Sequence, residues 1–190
     1  MKKLLLPVLL CGIMFQASAQ ERPIHEIHVA FINNFMKYIQ WPNDGQAEFV
    51  IGVLGNDDVY NTLKSWYDGK AKGAQKIAVK KLSSAAEAST CSLVYLSKTK
   101  NRDFEDLRSA TNGKHILTIT DGNNLGSRGS CVNFTVIDGK LKFELNQSAL
   151  AASSLKVSSQ LTSIAIVRLV ISTPPSTRSH NISRSSPENA

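Results

Sequence analysis

The most regular pattern of apolar and polar residues in the chain lies between residues 24 and 42. Apolar side chains recur there at spacings of three and four positions, which places them on one side of an α-helix and leaves polar residues on the other side. Pro42 cannot donate a backbone hydrogen bond and restricts the residue before it, so we expect the helix to end there and Trp41 to be extended. The apolar positions are Ile24, Ile27, His28, Phe31, Ile32, Phe35, Met36 and Ile39.

Short apolar runs alternate with amphipathic segments between residues 49 and 120. The runs are bounded by polar turns, which is typical of strands, and the segments between them have helical spacing. This alternation favours a largely parallel sheet with helices packed on it. The predicted strands are 49–54, 76–82, 93–96 and 115–120, and the predicted helices are 57–69 and 102–110.

The pattern changes after residue 121. A loop with three glycines is followed by two alternating segments, 131–137 and 141–145, that are separated by Asp138-Gly139. Asp-Gly between two alternating segments indicates a β-hairpin. The elements predicted to follow are a short helix at 146–154, an extended segment at 155–157 and a final helix from Ser158 or Ser159 to Ile171.

The two ends of the chain differ in composition from the part between them. Lys2 and Lys3 precede an apolar run, and Ala17-Ser18-Ala19 is a small-residue cleavage site, so residues 1–19 are predicted to be a secretory signal peptide. Ser, Thr, Pro, Asn and Arg dominate residues 172–190. This tail is predicted to be disordered, because its few large apolar residues cannot offset the entropy lost on ordering.

The part between these ends, residues 20–171, is predicted to form a single α/β domain. Its expected architecture is a largely parallel sheet with an antiparallel C-terminal hairpin, flanked by helices. A chain of this length buries enough apolar surface to fold without disulfides or metals. No segment of it reaches the roughly 20 apolar residues that a membrane-spanning helix needs, so we expect no transmembrane segment in the mature chain.

The charge of the mature chain is mildly basic. Removal of Lys2 and Lys3 lowers the formal net charge from +7 to +5, since all 15 acidic residues follow the cleavage site. The basic residues group around 70–81 and 98–102 without interleaved aromatic residues that would stack on bases, so nucleic-acid binding is not expected. The two groups are expected to form solvated surface or to meet an acidic partner or an anionic membrane surface.

Two cysteines, Cys91 and Cys131, remain in the mature chain once Cys11 leaves with the signal peptide. Lipidation of Cys11 is not expected, because Leu10 stands where a small residue is required. Two thiols in an oxidising compartment suggest one disulfide. Two interpretations stay open: a bond between Cys91 and Cys131, or two small buried hydrophobic residues.

The sequence contains no motif that would place catalytic groups or a cofactor. Gly52, Gly55 and Asp57 follow a predicted strand, but no G-x-G-x-x-G pattern or P-loop lysine accompanies them. The histidines are scattered without metal-ligand spacing, and no serine lies in a G-x-S-x-G elbow. We therefore predict no catalytic residue, no metal site and no cofactor.

Six short segments are informative as an ordered set. They are FINNFMKYIQWP (31–42), FVIGVLGND (49–57), CSLVYLS (91–97), HILTITD (115–121), GSCVNFTVIDGKLKFELN (129–146) and LKVSSQL (155–161). This set resembles the YfiR family over about residues 24–167. The resemblance implies an exported, periplasmic regulator that binds the periplasmic sensor domain of an inner-membrane diguanylate cyclase. It also implies that binding represses cyclic-di-GMP synthesis and that relief of the repression promotes biofilm.

A repressor that occupies a sensor domain needs an exposed apolar patch with a polar rim. The candidates are Tyr38 and Trp41 at the end of the predicted helix, with Lys76, Lys80 and Lys81 to speed encounter with an acidic partner. Trp41 has two interpretations: a plug in the hydrophobic core, which the helical pattern favours, or an interface residue. An exported small-ligand binding module without catalytic activity is the alternative function. The sequence leaves open whether the chain forms a homodimer.

The signal-peptide interpretation predicts that the exported protein begins at Gln20. N-terminal sequencing of the exported protein should find Gln20 first, and Ala19→Arg should block cleavage because a small residue is required before the cleaved bond. Retention of Met1 in the exported protein would contradict the predicted periplasmic localisation.

Overall fold

The structure, a computed structural model, describes residues 22–43 and 45–168. These residues contain five α-helices and ten β-strands. Two 3-10 helices, Ala85–Thr90 and Lys98–Asp103, complete the connections. The α-helices are α1 (Ile24–Tyr38), α2 (Asp57–Tyr67), α3 (Phe104–Thr111), α4 (Gln147–Ala152) and α5 (Ser159–Ile164). The strands are β1 (Ile39–Gln40), β2 (Glu48–Leu54), β3 (Ala71–Lys72), β4 (Gln75–Lys81), β5 (Leu93–Leu96), β6 (Leu117–Asp121), β7 (Val132–Ile137), β8 (Lys140–Asn146), β9 (Lys156–Val157) and β10 (Ile166–Arg168).

Eight of these strands form one sheet in the order β10-β8-β7-β6-β5-β2-β4-β3. The five strands from β7 to β4 in this order run parallel to one another, whereas β8 is antiparallel to β7 and the short edge strand β3 is antiparallel to β4. The central strands are buried on both faces, which explains why their sequences are continuous apolar runs. The predicted fold class, a largely parallel α/β sheet with an antiparallel C-terminal hairpin and flanking helices, is confirmed.

Helices cover both faces of the sheet. α1 and α2 pack on one face, which we call the α1 face, and α3 with the 3-10 helix Ala85–Thr90 packs on the other, which we call the α3 face. Successive residues of a strand point to opposite faces. In β2, for example, Phe49, Ile51 and Val53 point to the α1 face, and Val50 and Leu54 point to the α3 face.

Four phenylalanine rings join α1 to the hairpin of β7 and β8. Phe35 lies edge-on to Phe143, with 5.0 Å between ring centroids, and 6.0 Å from Phe134. Phe31 lies edge-on to Phe143 at 5.4 Å. Each well-oriented aromatic pair contributes about 0.5–1.5 kcal/mol beyond the burial of its area. α1 is therefore held over the antiparallel part of the sheet as well as over its parallel strands.

The hairpin turn forms at the predicted residues. Asp138 and Gly139 both have positive φ, 51° and 70°. A two-residue hairpin turn of type I′ requires positive φ at both positions, and Asp-Gly adopts it readily. The turn sets the register of the hairpin, in which Ile137 pairs with Lys140 and Val132 pairs with Leu145.

Helix α1 ends at Tyr38, before the Trp41-Pro42 boundary that the sequence predicts. Ile39 and Gln40 are extended and form β1, which pairs antiparallel with β9. The N–H of Ser158 also donates to the carbonyl of Tyr38 at 3.0 Å. These partners lie far along the chain, so the local pattern of α1 contained no sign of them.

The predicted final helix, from Ser158 or Ser159 to Ile171, is correct only at its start. Ser158 caps α5 by accepting a hydrogen bond from the N–H of Leu161, but the helix ends at Ile164. Ile166–Arg168 then forms β10, parallel to β8. β8 would otherwise leave an edge with unpaired backbone groups, and pairing with a segment rich in β-branched residues satisfies them.

Cys91 and Cys131 are both buried free thiols, so the disulfide interpretation is contradicted. Cys91 precedes β5 and packs in the apolar cluster on the α3 face, whereas Cys131 precedes β7 and packs in the cluster on the α1 face. β6 lies between β5 and β7. Two strand spacings are about 9–10 Å, beyond the roughly 7 Å between Cα atoms that a disulfide spans. The alternative, two small buried hydrophobic residues, fits both positions.

The predicted signal peptide, residues 1–19, and the predicted disordered tail, residues 172–190, lie outside the described residues. None of the helices between residues 22 and 168 combines the length and the apolar character needed to cross a bilayer.

The two buried thiols lead to a prediction about their chemistry. Thiol titration of the unreduced, denatured mature protein should find two free groups per chain. In the native protein both should react slowly with alkylating reagents, because burial raises the pKa of Cys91 to about 11 and also raises that of Cys131. Finding no free thiol in the denatured, unreduced protein would restore the disulfide interpretation.

Candidate functional site

Trp41, which the sequence analysis singles out, lies half-buried at the C-terminal end of α1. Its indole Nε1–H donates to the carbonyl oxygen of Ser92 at 3.0 Å. Its ring meets the ring of Phe49 edge-on, with centroids 4.8 Å apart and planes at 90°. The ring position is therefore fixed by one directional hydrogen bond and one aromatic contact, while part of its surface stays accessible.

Lys72 covers the exposed side of this aromatic pair. Its Nζ lies 4.6 Å from the centroid of the Trp41 ring and 4.4 Å from that of Phe49, which is cation–π distance. Burial lowers the pKa of Lys72 from its ordinary value. The ammonium is thus held against two ring faces in a partly dehydrated position at the end of the short strand β3.

Tyr38, the second aromatic candidate, is half-buried on the last turn of α1. Its ring packs against the apolar cluster of the α1 face, and Lys37 Nζ lies 5.1 Å from the ring centroid. Two lysines, Lys37 and Lys72, therefore lie over the two candidate aromatic rings. Neither lysine is among the site residues predicted from the sequence.

A groove of about 620 Å³ opens beside Trp41. Its walls combine aromatic, polar and basic side chains, including Trp41, Phe49, Lys72, Gln75 and Ser92. These elements meet here because α1 runs antiparallel to the strands, so that its C-terminal end reaches the edge where β2 and β5 begin. Lys37 also lines this groove, which we call the Trp41 groove.

The three lysines predicted to accompany the aromatic residues lie elsewhere. Lys76 and Lys80 are exposed on β4 and alternate with Ile77 and Val79, which point to the α1 face, so both lysines point to the α3 face. Lys81, at the end of β4, forms an ion pair with Asp57 at 2.7 Å. None of these three lysines lines the groove beside Trp41, and neither does Tyr38.

Lys72 and Ser92 are the site residues that sequence reasoning missed. The contact between Trp41 and Ser92 joins residues 51 positions apart, and no local pattern announces it. Lys72 belongs to the basic group that the sequence shows, but only the turn into β3 places it on the Trp41 ring. The sequence favoured Lys76, Lys80 and Lys81 because they lie close together in the chain. Successive side chains of β4 point to opposite faces of the sheet, so these three lysines do not share one surface.

Groups that would hold a metal ion are not found among residues 22–43 and 45–168: no cluster of three or more histidine, cysteine, aspartate or glutamate residues occurs there. The chemistry that the Trp41 groove offers is aromatic contact, hydrogen bonding and positive charge. These are properties of a binding surface.

Comparison with known proteins gives a family and a fold. A family model described as YfiR/HmsC-like matches residues 25–166. Among solved structures, a conserved domain protein from Vibrio cholerae O1 biovar El Tor strain N16961 is similar, with a TM-score of 0.51 and 13% sequence identity. The alignment covers 75% of this chain and 59% of that one. At this identity the likeness concerns the fold alone. No curated protein matches the sequence.

The geometry of Trp41 predicts an intermediate effect on stability. Trp41→Phe keeps a ring on Phe49 but removes the indole N–H, and the Ser92 carbonyl still accepts the N–H of Leu117. We expect the free energy of unfolding in urea to fall by about 0.5–1.5 kcal/mol. Trp66→Phe, at a tryptophan on α2 that is 38% exposed, is the matched control and should change it by less than about 0.5 kcal/mol.

Proposed function

The chain belongs to the YfiR/HmsC-like family, and on that premise we propose that it binds the periplasmic sensor domain of an inner-membrane diguanylate cyclase and represses cyclic-di-GMP synthesis. The family supports a periplasmic regulatory role in cyclic-di-GMP signalling. The identity of the partner and the direction of control are the proposal. Relief of the repression would raise cyclic-di-GMP and promote biofilm.

The observation that carries this proposal is that the Trp41 ring is half-buried and fixed in position. Tryptophan and tyrosine dominate the energetics of protein interfaces, and they do so where a fixed ring is covered by a partner. The Ser92 carbonyl and the Phe49 ring hold Trp41 in place before any partner arrives. A partner would therefore gain aromatic contact without first having to order the side chain.

The charges around the Trp41 groove favour an acidic partner. Lys37 and Lys72 lie over the two rings, and neither pairs with a carboxylate in the described part of the chain. Lys72 is already partly dehydrated, so a carboxylate from a partner would stabilise its charge at little further desolvation cost. Complementary charge of this kind raises the rate of association and selects against basic partners.

A small-ligand binding module is the second candidate function. The volume of the Trp41 groove, about 620 Å³, falls in the usual range for small-molecule sites. An aromatic wall with a lysine above it suits a flat anionic molecule. Ligand pockets usually enclose most of their ligand, whereas Trp41 lies at an open margin of the structure, so we place this candidate second.

The proposal predicts that Trp41→Ala abolishes partner binding. The purified mature protein should bind the periplasmic sensor domain of at least one diguanylate cyclase of its own organism, measured by calorimetry. Loss of an interface hot spot of 2 kcal/mol or more weakens binding by about 30-fold or more. Trp66→Ala is the matched control and should bind like the unchanged protein, and Lys72→Gln should lower the association rate and its dependence on salt.

One result would overturn the proposed function, and a second would overturn only the proposed location of the interface. Failure to bind any such sensor domain, at concentrations where a specific interface forms, would remove the repressor function and leave the small-ligand module. Binding that survives Trp41→Ala would keep the repressor function but move the interface away from the Trp41 groove. The melting temperature of each variant must be measured alongside, so that lost binding is not mistaken for lost folding.

A further inference from the structure

A second groove lies beside the Trp41 groove, on the other side of the same sheet edge. Its volume is about 770 Å³, so it is the larger of the two. Its lining includes Val50 and Cys91, which pack in the apolar cluster of the α3 face, whereas Phe49 in the Trp41 groove packs in the cluster of the α1 face. We call it the α3-side groove. The interface proposed at Trp41 makes no use of it.

The two grooves share a fixed ridge. Gln46 and Ser92 line both of them. The carbonyl oxygen of Gln46 accepts a hydrogen bond from Nε2 of Gln75 at 2.9 Å. The hydroxyl of Ser92 accepts from the N–H of Val50 at 3.3 Å, and its carbonyl holds the Trp41 indole. A partner that covers Trp41 therefore meets this ridge and, directly beyond it, the α3-side groove.

The α3-side groove carries positive charge. Lys80 on β4 and Lys114 before β6 line it, both are exposed, and neither forms an ion pair within the described part of the chain. Nζ of Lys114 donates to the carbonyl oxygen of Ser89 at 3.2 Å, which holds this charge at the groove. Glu48 is the acidic residue in the described lining, and it pairs in register with Lys76 on the same face of the sheet. Lys76 offsets its charge, so the two lysines dominate.

The α3-side groove is long in one direction. Its lining residues come from β4, from β2 and from the segments directly before β5 and β6, and these four strands are neighbours in the sheet. Three strand spacings are about 14 Å, and an extended chain advances about 3.3 Å per residue. About four extended residues therefore cross the groove. The hydroxyls of Ser89 and Thr90 in its wall suit hydrogen bonds to a peptide backbone.

We propose that the α3-side groove binds an extended acidic segment of the partner protein, about four residues long, which continues past Ser92 from the part that covers Trp41. This inference rests on the proposed function and adds the chemistry of the segment that binds. Carboxylates complement the two lysines, and such charge pairs speed association and select against basic partners. Lys80, which the sequence predicts as a partner-binding residue, then contacts the partner at a distance from Trp41.

An acidic peptide tests the groove without any knowledge of the partner. Hexaglutamate, blocked at both ends, is titrated into ¹⁵N-labelled mature protein while the amide resonances are followed by NMR. Amides of residues 89–92 and 113–116 should shift. The double variant Lys80→Gln/Lys114→Gln loses two exposed charge contacts, so it should bind the peptide about 2- to 30-fold more weakly.

A matched variant separates the groove from net charge. Lys140→Gln/Lys142→Gln removes two exposed lysines from β8, away from the groove, and should bind hexaglutamate like the unchanged protein. All four lysines are exposed, so both double variants should keep the melting temperature of the unchanged protein.

The same two variants, measured against the sensor domain, separate this inference from the proposed function. The groove variant should bind the sensor domain about 2- to 30-fold more weakly, with the larger effect at low salt. If a sensor domain binds both variants equally, the inference fails and the proposed function stands. If no sensor domain binds but hexaglutamate does, the proposed function fails and the acidic segment belongs to another protein.

Three results with the peptide would overturn the inference. The first is hexaglutamate that leaves the amides of residues 89–92 and 113–116 unshifted. The second is equal affinity of the unchanged protein and Lys80→Gln/Lys114→Gln. The third is inorganic phosphate that, at the same concentration of negative charge, shifts the same amides equally, since the groove would then bind small anions rather than a peptide segment.

Discussion

The contact between α1 and the α1 face of the sheet is the interaction on which the rest of the structure depends. α1 packs on the parallel strands and on the antiparallel hairpin, and its Val29, Ile32 and Phe35 are fully buried. Each such side chain contributes about 1.5–3 kcal/mol when fully buried. Without this helix the faces of β7 and β8 would expose Phe134 and Phe143. The hairpin and the parallel sheet belong to one domain because the same helix packs on both.

The two ends of α1 are held by different chemistry. At the C-terminal end, backbone pairing and an indole hydrogen bond give positions that do not change with pH, which suits a binding surface. At the N-terminal end, the attachment includes the buried imidazole of His28, which lies between the rings of Phe134 and Tyr95.

The parallel strands, the hairpin and α1 were predictable because each has a strong local signal. Leu93–Leu96 is β5 as the apolar run indicated, and Asp138-Gly139 forms the turn that its composition predicts. β1, β9 and β10 were not predictable, since each is two or three residues long and exists only through pairing with a distant segment. The same limit explains the missed contact between Trp41 and Ser92. The free state of Cys91 and Cys131 likewise follows from the sheet order, which the sequence does not encode locally.

Trp41 is neither a fully buried core residue nor a fully exposed interface residue. From the sequence, a core plug and an interface residue are alternatives, whereas in the structure one side of the indole packs on Phe49 and another part stays accessible beneath Lys72. A ring that is fully buried offers nothing to a partner, and a ring that is fully free loses conformational entropy when bound. Half-burial avoids both costs. The hydrogen bond to Ser92, directly before β5, ties the ring to the centre of the parallel sheet, so a partner that covers Trp41 would contact a side chain anchored to the central strands.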